Sequence, residues 1–191
     1  MLLYTEIPLL GGHLDLARSR LQGHVVEFES NMAKPRVYIE TTIPSFYYNC
    51  RSEPEMVARG RWTREWWDDA NERYDRLTSE AVLDELSDGE YESQEAFLAL
   101  LSNLPLLVIG PEVIEIAATY IQHRLMPNDP TGDELHLAVA SYHQSEFSLT
   151  WNCQHLANAN KFGHIRRVNT MLGLYVPTLV TPLELLGAKN E

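Results

Sequence analysis

The stretch VYIETT, residues 37–42, is the first strand candidate of the chain, because β-branched and aromatic side chains dominate it. It follows Pro35 and precedes long segments of helical period. Glu40 lies inside this otherwise apolar run, where a charge is costly unless it is paired or bound to a metal ion. The stretch therefore predicts a buried strand whose single acid needs a partner.

Beyond this strand, short β-branched runs alternate with longer segments of helical period, which is typical of βαβ units and a parallel sheet. We predict further strands at residues 76–79, 106–109, 147–151 and 179–181. Helices are predicted at 62–77, 80–87, 94–104, 111–125 and 183–186, with one more that starts at Asp129-Pro130 and runs through Ala140. The sequence thus predicts an α/β fold with a short central parallel sheet of four to five strands flanked by helices.

The composition favours one compact domain, since 191 residues with 45% apolar content can bury a core but hardly form two domains. The 27 acidic and 15 basic side chains give a net charge of -12, which on average repels nucleic acid and anionic membranes. A nucleic-acid substrate would therefore need a local basic patch, metal ions or both. No apolar run approaches the roughly 18 residues of a membrane span, so we expect a soluble, cytoplasmic protein that does not bind membranes.

The first 31 residues differ from the rest, because they lack sustained periodicity and precede a second methionine, Met32. We interpret residues 1–31 as an N-terminal extension. It is either poorly ordered, an arm that packs on a partner, or a segment that is not natively translated. The predicted domain covers residues 35–187.

Acidic and amide side chains occur where a parallel sheet binds its ligands, at the carboxyl ends of strands. They are Glu40, Glu85 after the second strand, Asp133 before the fourth strand and Asn152 at the end of that strand. Converging carboxylates repel one another by about 4 kcal/mol per pair at 4 Å and an effective dielectric near 20, and Mg²⁺ or Mn²⁺ relieves that repulsion. Taken singly, each acid also fits a structural role: a hydrogen-bonded strand acid, a solvated helix-face acid, or an acid at a helix N-terminus.

Four segments resemble the PIN-domain ribonucleases, in particular VapC-like toxins of toxin-antitoxin pairs: VYIETTIPSFYY from Val37, TSEAVLDEL from Thr78, GDELHLAVAS from Gly132 and LTWNCQHLAN from Leu149. Their order and separations agree over roughly residues 35–186. The resemblance implies a PIN-like three-layer fold with Glu40, Glu85 and Asp133 as metal-binding acids. Asn152 falls on a fourth catalytic position that is commonly aspartate, and Glu40 is longer than the more usual aspartate.

Basic residues that could contact substrate follow the fourth strand. Lys161, His164, Arg166 and Arg167 form the one local run in which basic residues clearly outnumber acids, and such side chains bind phosphate without reading sequence. A solvated helix face is the alternative. We assign substrate binding to Thr41, His155, Lys161, Arg166 and Arg167. His136 is interpreted as a structural histidine and Cys153 as a small buried hydrophobe. The cluster Trp62, Trp66 and Trp67 could stack RNA bases or bind an antitoxin helix, but core packing is favoured for Trp62 and Trp66, and Trp67 is the candidate for a partner contact.

Together these features predict a Mg²⁺- or Mn²⁺-dependent endoribonuclease, the toxin of a toxin-antitoxin pair, which forms a homodimer and binds RNA and a cognate antitoxin. Three carboxylates favour one resident ion. The main alternative is a catalytically weak PIN-like module that holds RNA or a protein. A third is a phosphatase for a small metabolite, which would have a closed pocket rather than a groove lined with arginine.

Overall fold

The computed structural model describes residues 33–89, 93–126 and 132–187. From Lys34 onward the described residues form one compact unit, and its strands belong to a single five-stranded sheet. The interpretation of residues 1–31 and the predicted helix start at Asp129-Pro130 lie outside the described residues. In the described ranges, no helix is long and apolar enough to cross a membrane.

The sheet is parallel at every pairing. Its strands, in the spatial order β3-β2-β1-β4-β5, are β1 (Arg36–Ile39), β2 (Asp75–Ser79), β3 (Leu106–Leu107), β4 (Phe147–Leu149) and β5 (Thr178–Val180). The chain first adds β2 and β3 on one side of β1, and then adds β4 and β5 on the other side. The strand order therefore reverses between β1 and β4, which is where open α/β sheets bind their ligands.

Helices flank this sheet. Those in the described part of the chain are α1 (Thr42–Tyr47), α2 (Pro54–Arg73), α3 (Glu80–Asp88), α4 (Gln94–Leu101), α5 (Pro111–Gln122), α6 (Asp133–Tyr142), α7 (Ala159–Leu172) and α8 (Pro182–Leu186). The architecture confirms the predicted α/β fold with a short central parallel sheet, and it is consistent with a PIN-like three-layer arrangement.

The first strand is shorter than predicted, because β1 ends at Ile39 and α1 begins at Thr42. Glu40 therefore follows the strand instead of lying inside it. Pro44 explains the change, since it cannot donate a ladder hydrogen bond, whereas the first turn of a helix needs no such donor. Strands β3 and β4 also end two residues earlier than predicted, at Leu107 and Leu149.

Two helices differ from what the sequence predicts. The long helix predicted to reach Leu77 ends at Arg73, because Leu77 pairs with Tyr38 in the sheet. Helix α7 was not predicted, although its start and stop signals are present. The Asn158 side chain caps the helix by accepting from the Asn160 N–H at 3.0 Å, and Gly173 ends it with a φ of 67°.

The core lies between the sheet and its helices, with Val37, Tyr38 and Ile39 fully buried at its centre. Trp66 and Trp67 both pack into it, and the Arg76 guanidinium lies 4.3 Å from the centre of the Trp67 ring. Trp67 was the candidate for a partner contact because it lies off the apolar stripe, yet it is buried, with 9% of the residue exposed.

A buried amide links three helices behind the sheet. Asn169 of α7 donates to the Ser141 hydroxyl of α6 at 2.9 Å and to the Tyr175 carbonyl at 2.7 Å, and it accepts from the Tyr120 hydroxyl of α5 at 2.7 Å. Burial also raises the pKa of Tyr120 to about 12, so that hydroxyl remains a donor at neutral pH. Asn169 therefore fixes α6 and α7 relative to each other at their C-terminal ends.

We expect Asn169→Ala to lower the free energy of unfolding by about 3 kcal/mol, because buried partners left without a hydrogen bond cost roughly 1–3 kcal/mol each. Urea denaturation followed by circular dichroism measures the change. Asn160→Ala, an exposed amide on the same helix, is the control and should change stability by less than about 0.5 kcal/mol. Equal effects of the two substitutions would contradict the role given to Asn169.

Candidate active site

The reversal of strand order brings the residues after β1 and β4 to one edge of the sheet. Ile39 pairs with Leu149, and the Glu40 N–H donates to the Leu149 carbonyl at 3.5 Å. Glu40 and the turn 150–152 consequently leave the sheet side by side. Two of the four predicted site positions, Glu40 and Asn152, come from this edge.

Glu40 is almost fully buried, with 3% of its surface exposed. The Thr42 N–H donates to its Oε2 at 3.0 Å, and the Thr42 hydroxyl donates to its Oε1. The same hydroxyl accepts from the Trp151 N–H at 2.8 Å, so Thr42 joins Glu40 to the turn after β4. Burial raises the pKa of Glu40, although the charge of His136 and the hydrogen bonds of Thr42 and Thr150 oppose that rise.

Asn152 lies against Asp133, the first residue of α6. The Asn152 side-chain NH₂ group donates to both Asp133 carboxylate oxygens, at 2.8 and 3.0 Å. Its side-chain oxygen, Oδ1, accepts from the backbone N–H of His155 at 3.1 Å. An aspartate could not donate to Asp133 in this way. Burial raises the pKa of Asp133, against the opposing effects of His155, Asn152, His136 and Lys161.

Glu85 of α3 lies at the end of a hydrogen-bonded chain. The Thr41 hydroxyl donates to its Oε2, and its Oε1 is 3.1 Å from His136 Nε2. His136 Nδ1 is 2.8 Å from the Tyr38 hydroxyl, which is 2.8 Å from Ser79 Oγ. An ionised carboxylate only accepts, so Nε2 donates to Glu85. If the imidazole is neutral, Nδ1 must then accept from Tyr38, and Tyr38 accepts from Ser79.

His136 interacts with all three acids. Its burial lowers its pKa, but the hydrogen bond and charge of Glu85 and the charges of Glu40 and Asp133 outweigh that effect and raise the pKa overall. His136 was predicted to be structural. It is indeed buried, yet it also bonds Glu85, and its position three residues after Asp133 on one helix is the signal that could have identified it.

The predicted substrate residues divide into two groups. Thr41 bonds Glu85, while His155 and Lys161 lie near Asp133, with 3.5 Å between Lys161 Nζ and His155 Nδ1. Arg166 and Arg167 are exposed on α7, and within the described ranges they make no hydrogen bond or ion pair with the acids. Cys153 was predicted to be buried but is exposed, because it lies in the turn after β4 rather than in a strand.

The aromatic wall beside this turn was not predicted from the sequence. The Arg59 guanidinium lies 5.3 Å from the Trp151 ring centre and 5.6 Å from the Phe46 ring centre, and it donates to the Trp151 carbonyl at 3.3 Å. The Trp151 indole N–H donates to the Thr63 hydroxyl at 2.8 Å. Helix α2 therefore braces the segment that carries Asn152.

The acid side chains face hydrogen-bond donors rather than one common point. Among residues 33–89, 93–126 and 132–187, no three His, Cys, Asp or Glu side chains are arranged as metal ligands. The oxygens of the three acids and of Asn152 are nevertheless the ligand type that Mg²⁺ and Mn²⁺ prefer. Each carboxylate also has about four lone-pair positions, so accepting one or two hydrogen bonds leaves room for an ion.

No protein-family model matches the chain, and no curated protein is significantly similar to it. The PIN-domain resemblance therefore stays a prediction, and function has to be argued from the site itself.

The pH dependence of stability tests the environment of His136. A pKa raised on folding means that the folded protein holds the proton more tightly than the unfolded chain. The stability gained is complete below about pH 6.5 and is lost as the pH rises through the pKa of folded His136. We therefore expect the Tm in EDTA to fall as the pH rises above about 6.5 and through the raised pKa of folded His136.

His136→Gln should flatten this fall, whereas His164→Gln, a partly exposed histidine on α7, should leave it unchanged. Differential scanning fluorimetry across the pH range measures both variants. A fall that is equally steep in His136→Gln and in the parent protein would contradict the assignment.

Proposed function

We propose that this protein is a metal-dependent endoribonuclease of the PIN-like type, acting in the cytoplasm as the toxin of a toxin-antitoxin pair. We further propose that it forms a homodimer and binds a cognate antitoxin. The observation that carries the proposal is the geometry at the reversal of strand order, where Glu40 is 3% exposed, Glu85 lies 3.1 Å from the buried His136 and Asp133 accepts from Asn152 at 2.8 Å. A stable fold gains little from burying these acids together, and carboxyls with perturbed pKa values are frequent at catalytic sites.

The donor set fits a hard divalent cation, Mg²⁺ or Mn²⁺, held by Glu40, Glu85 and Asp133. When bound, such an ion polarises a phosphate and activates water for hydrolysis. The three carboxylates carry three negative charges, which one divalent ion and a protonated His136 would neutralise. This balance favours one resident ion, in agreement with the number expected from the acids alone.

The surrounding residues orient the acids. Thr42 holds Glu40, Asn152 holds Asp133, and His136 together with Thr41 holds Glu85. Lys161 and His155 lie beside Asp133, where a phosphate of the RNA could approach. A positive side chain at this point offsets the net charge of -12, which otherwise repels nucleic acid.

The second candidate function is a PIN-like module that binds RNA or protein without cutting it. The neutral Asn152 favours this alternative, because its amide satisfies Asp133 in the absence of an ion. Such a module would bind RNA in the same place but would not depend on the charges of Glu40, Glu85 and Asp133.

Cleavage assays separate the two functions. We expect Glu40→Gln, Glu85→Gln and Asp133→Asn each to reduce Mg²⁺-dependent cleavage of single-stranded RNA by at least about 100-fold, because each removes a charge that holds the ion. Gel analysis of a labelled transcript, with and without EDTA, measures the effect. Asp84→Asn, an exposed acid adjacent to Glu85 on α3, is the matched control and should cleave normally. Cleavage that survives all three site substitutions would refute the assignment.

Asn152→Asp tests how the site handles charge. A carboxylate facing Asp133 would repel it by about 4 kcal/mol at 4 Å and an effective dielectric near 20, so the Tm in EDTA should fall. The added oxygen charge should raise Mn²⁺ affinity roughly tenfold. Calorimetric titration of Mn²⁺ and thermal denaturation measure the two effects.

Asn158→Asp is the control, since Asn158 lies in the same segment and aspartate caps a helix equally well. It should alter neither the Mn²⁺ affinity nor the Tm appreciably. Loss of stability in Asn152→Asp without any gain in affinity would argue against a metal site here. Two equally tight Mn²⁺ sites in the parent protein would contradict the single resident ion.

A further inference from the structure

One tryptophan is set apart from the other three by its exposure. Trp66, Trp67 and Trp151 are at least nine-tenths buried, whereas Trp62 of α2 is only partly buried. Its ring stacks on that of Trp151, with 6.1 Å between the ring centres and an angle of 26° between the planes. Trp62 therefore forms the outer layer of a two-ring stack that is anchored in the core.

A cation lies against the same ring. The Arg61 guanidinium is 5.8 Å from the centre of Trp62, and Arg61 is exposed. Within the described part of the chain, Arg61 forms no ion pair, whereas Arg59 on the same helix pairs with Glu55 and donates to the Trp151 carbonyl. Arg61 can therefore contact a ligand without giving up an ion pair.

The stack is joined to the acids through the backbone of Trp151. The Trp151 N–H donates to Thr42, whose hydroxyl donates to Glu40, and the next residue, Asn152, bonds Asp133. A group that stacks on Trp62 would thus lie beside Trp151 and Asn152, the two residues whose hydrogen bonds reach Glu40, through Thr42, and Asp133. The aromatic stack and the acid cluster share one rigid support.

We propose that Trp62 and Arg61 form a binding site for one nucleotide of a single-stranded RNA, with the base stacked on the indole and its phosphate on the guanidinium. The proposal rests on the nuclease function and adds to it a site for a nucleotide outside the cleaved bond. Aromatic rings bind single-stranded bases without strong sequence preference, and arginine supplies the phosphate contact. If Trp62 served the core alone, its removal would lower stability without a selective effect on RNA.

Binding can be measured separately from cleavage in the full-length Glu40→Gln protein with Mg²⁺, by anisotropy of a labelled adenylate RNA of about eight nucleotides. We expect Trp62→Ala to weaken binding roughly tenfold. Trp62→Phe should stay within about threefold of the parent, because a ring remains, while the quenching of tryptophan fluorescence by RNA largely disappears. Tyr175→Ala, which removes an exposed ring elsewhere, is the control and should bind as the parent does.

RNAs in which one base at a time is replaced by an abasic ribose complete the test. At one position, the abasic RNA should bind the parent protein roughly tenfold more weakly than the intact RNA does. The Trp62→Ala protein should bind the abasic and the intact RNA equally, because both changes remove the same contact. Arg61→Gln should reduce the slope of log affinity against log salt by about 1.

The proposal is overturned if no abasic position is coupled to Trp62, if Trp62→Ala and Tyr175→Ala have equal effects, or if the folded parent binds none of these RNAs. A different result would refute the nuclease function. If RNA binds with the coupling between Trp62 and one abasic position, but the wild-type protein never cuts it, cleavage alone is refuted. Conversely, normal cleavage without the coupling would refute the Trp62 site alone.

Discussion

The structure depends most on the cost of burying carboxylates at the edge of the sheet where the strand order reverses. The reversal of strand order between β1 and β4 brings Glu40 and the turn before Asn152 together, and α3 and α6 add Glu85 and Asp133. Burial makes this charge more costly, as the raised pKa values of Glu40 and Asp133 indicate. Hydrogen-bond donors offset this cost at each acid. Thr42 donates to Glu40, Asn152 donates to Asp133, and Thr41 and His136 donate to Glu85.

The sequence predicted the parallel sheet and the approximate positions of its strands, because strand runs are local signals, but it did not predict the order of the strands. It could not show where each strand stops. The run through Glu40 reads as one strand by residue preference, and only Pro44 and the turn at Thr41 end it. Tertiary pairing also decided the end of α2, since Leu77 belongs to the sheet. Such decisions depend on partners distant in the chain.

The contacts within the site were less predictable than its members. Asn152 was expected to replace an acid, but its role as a donor to Asp133 depends on the orientation of an amide that no spacing encodes. His136 was assigned to the core from its position on a buried helix face, and that assignment overlooked its second nitrogen. A buried side chain with two polar ends can be both a core residue and a site residue.

The Asn169 hydrogen bonds, described above as a link between helices, also act as a pivot. Ser141 and Asn169 lie near the C-terminal ends of α6 and α7, while Asp133 and Lys161 lie near their N-terminal ends. Eight residues separate each functional side chain from the pivot, a lever of about 12 Å on each helix. An error of about 5° in the angle between the helices would displace Asp133 or Lys161 by about 1 Å, so the Asn169 hydrogen bonds hold the separation of the acid and the cation from the far end of both helices.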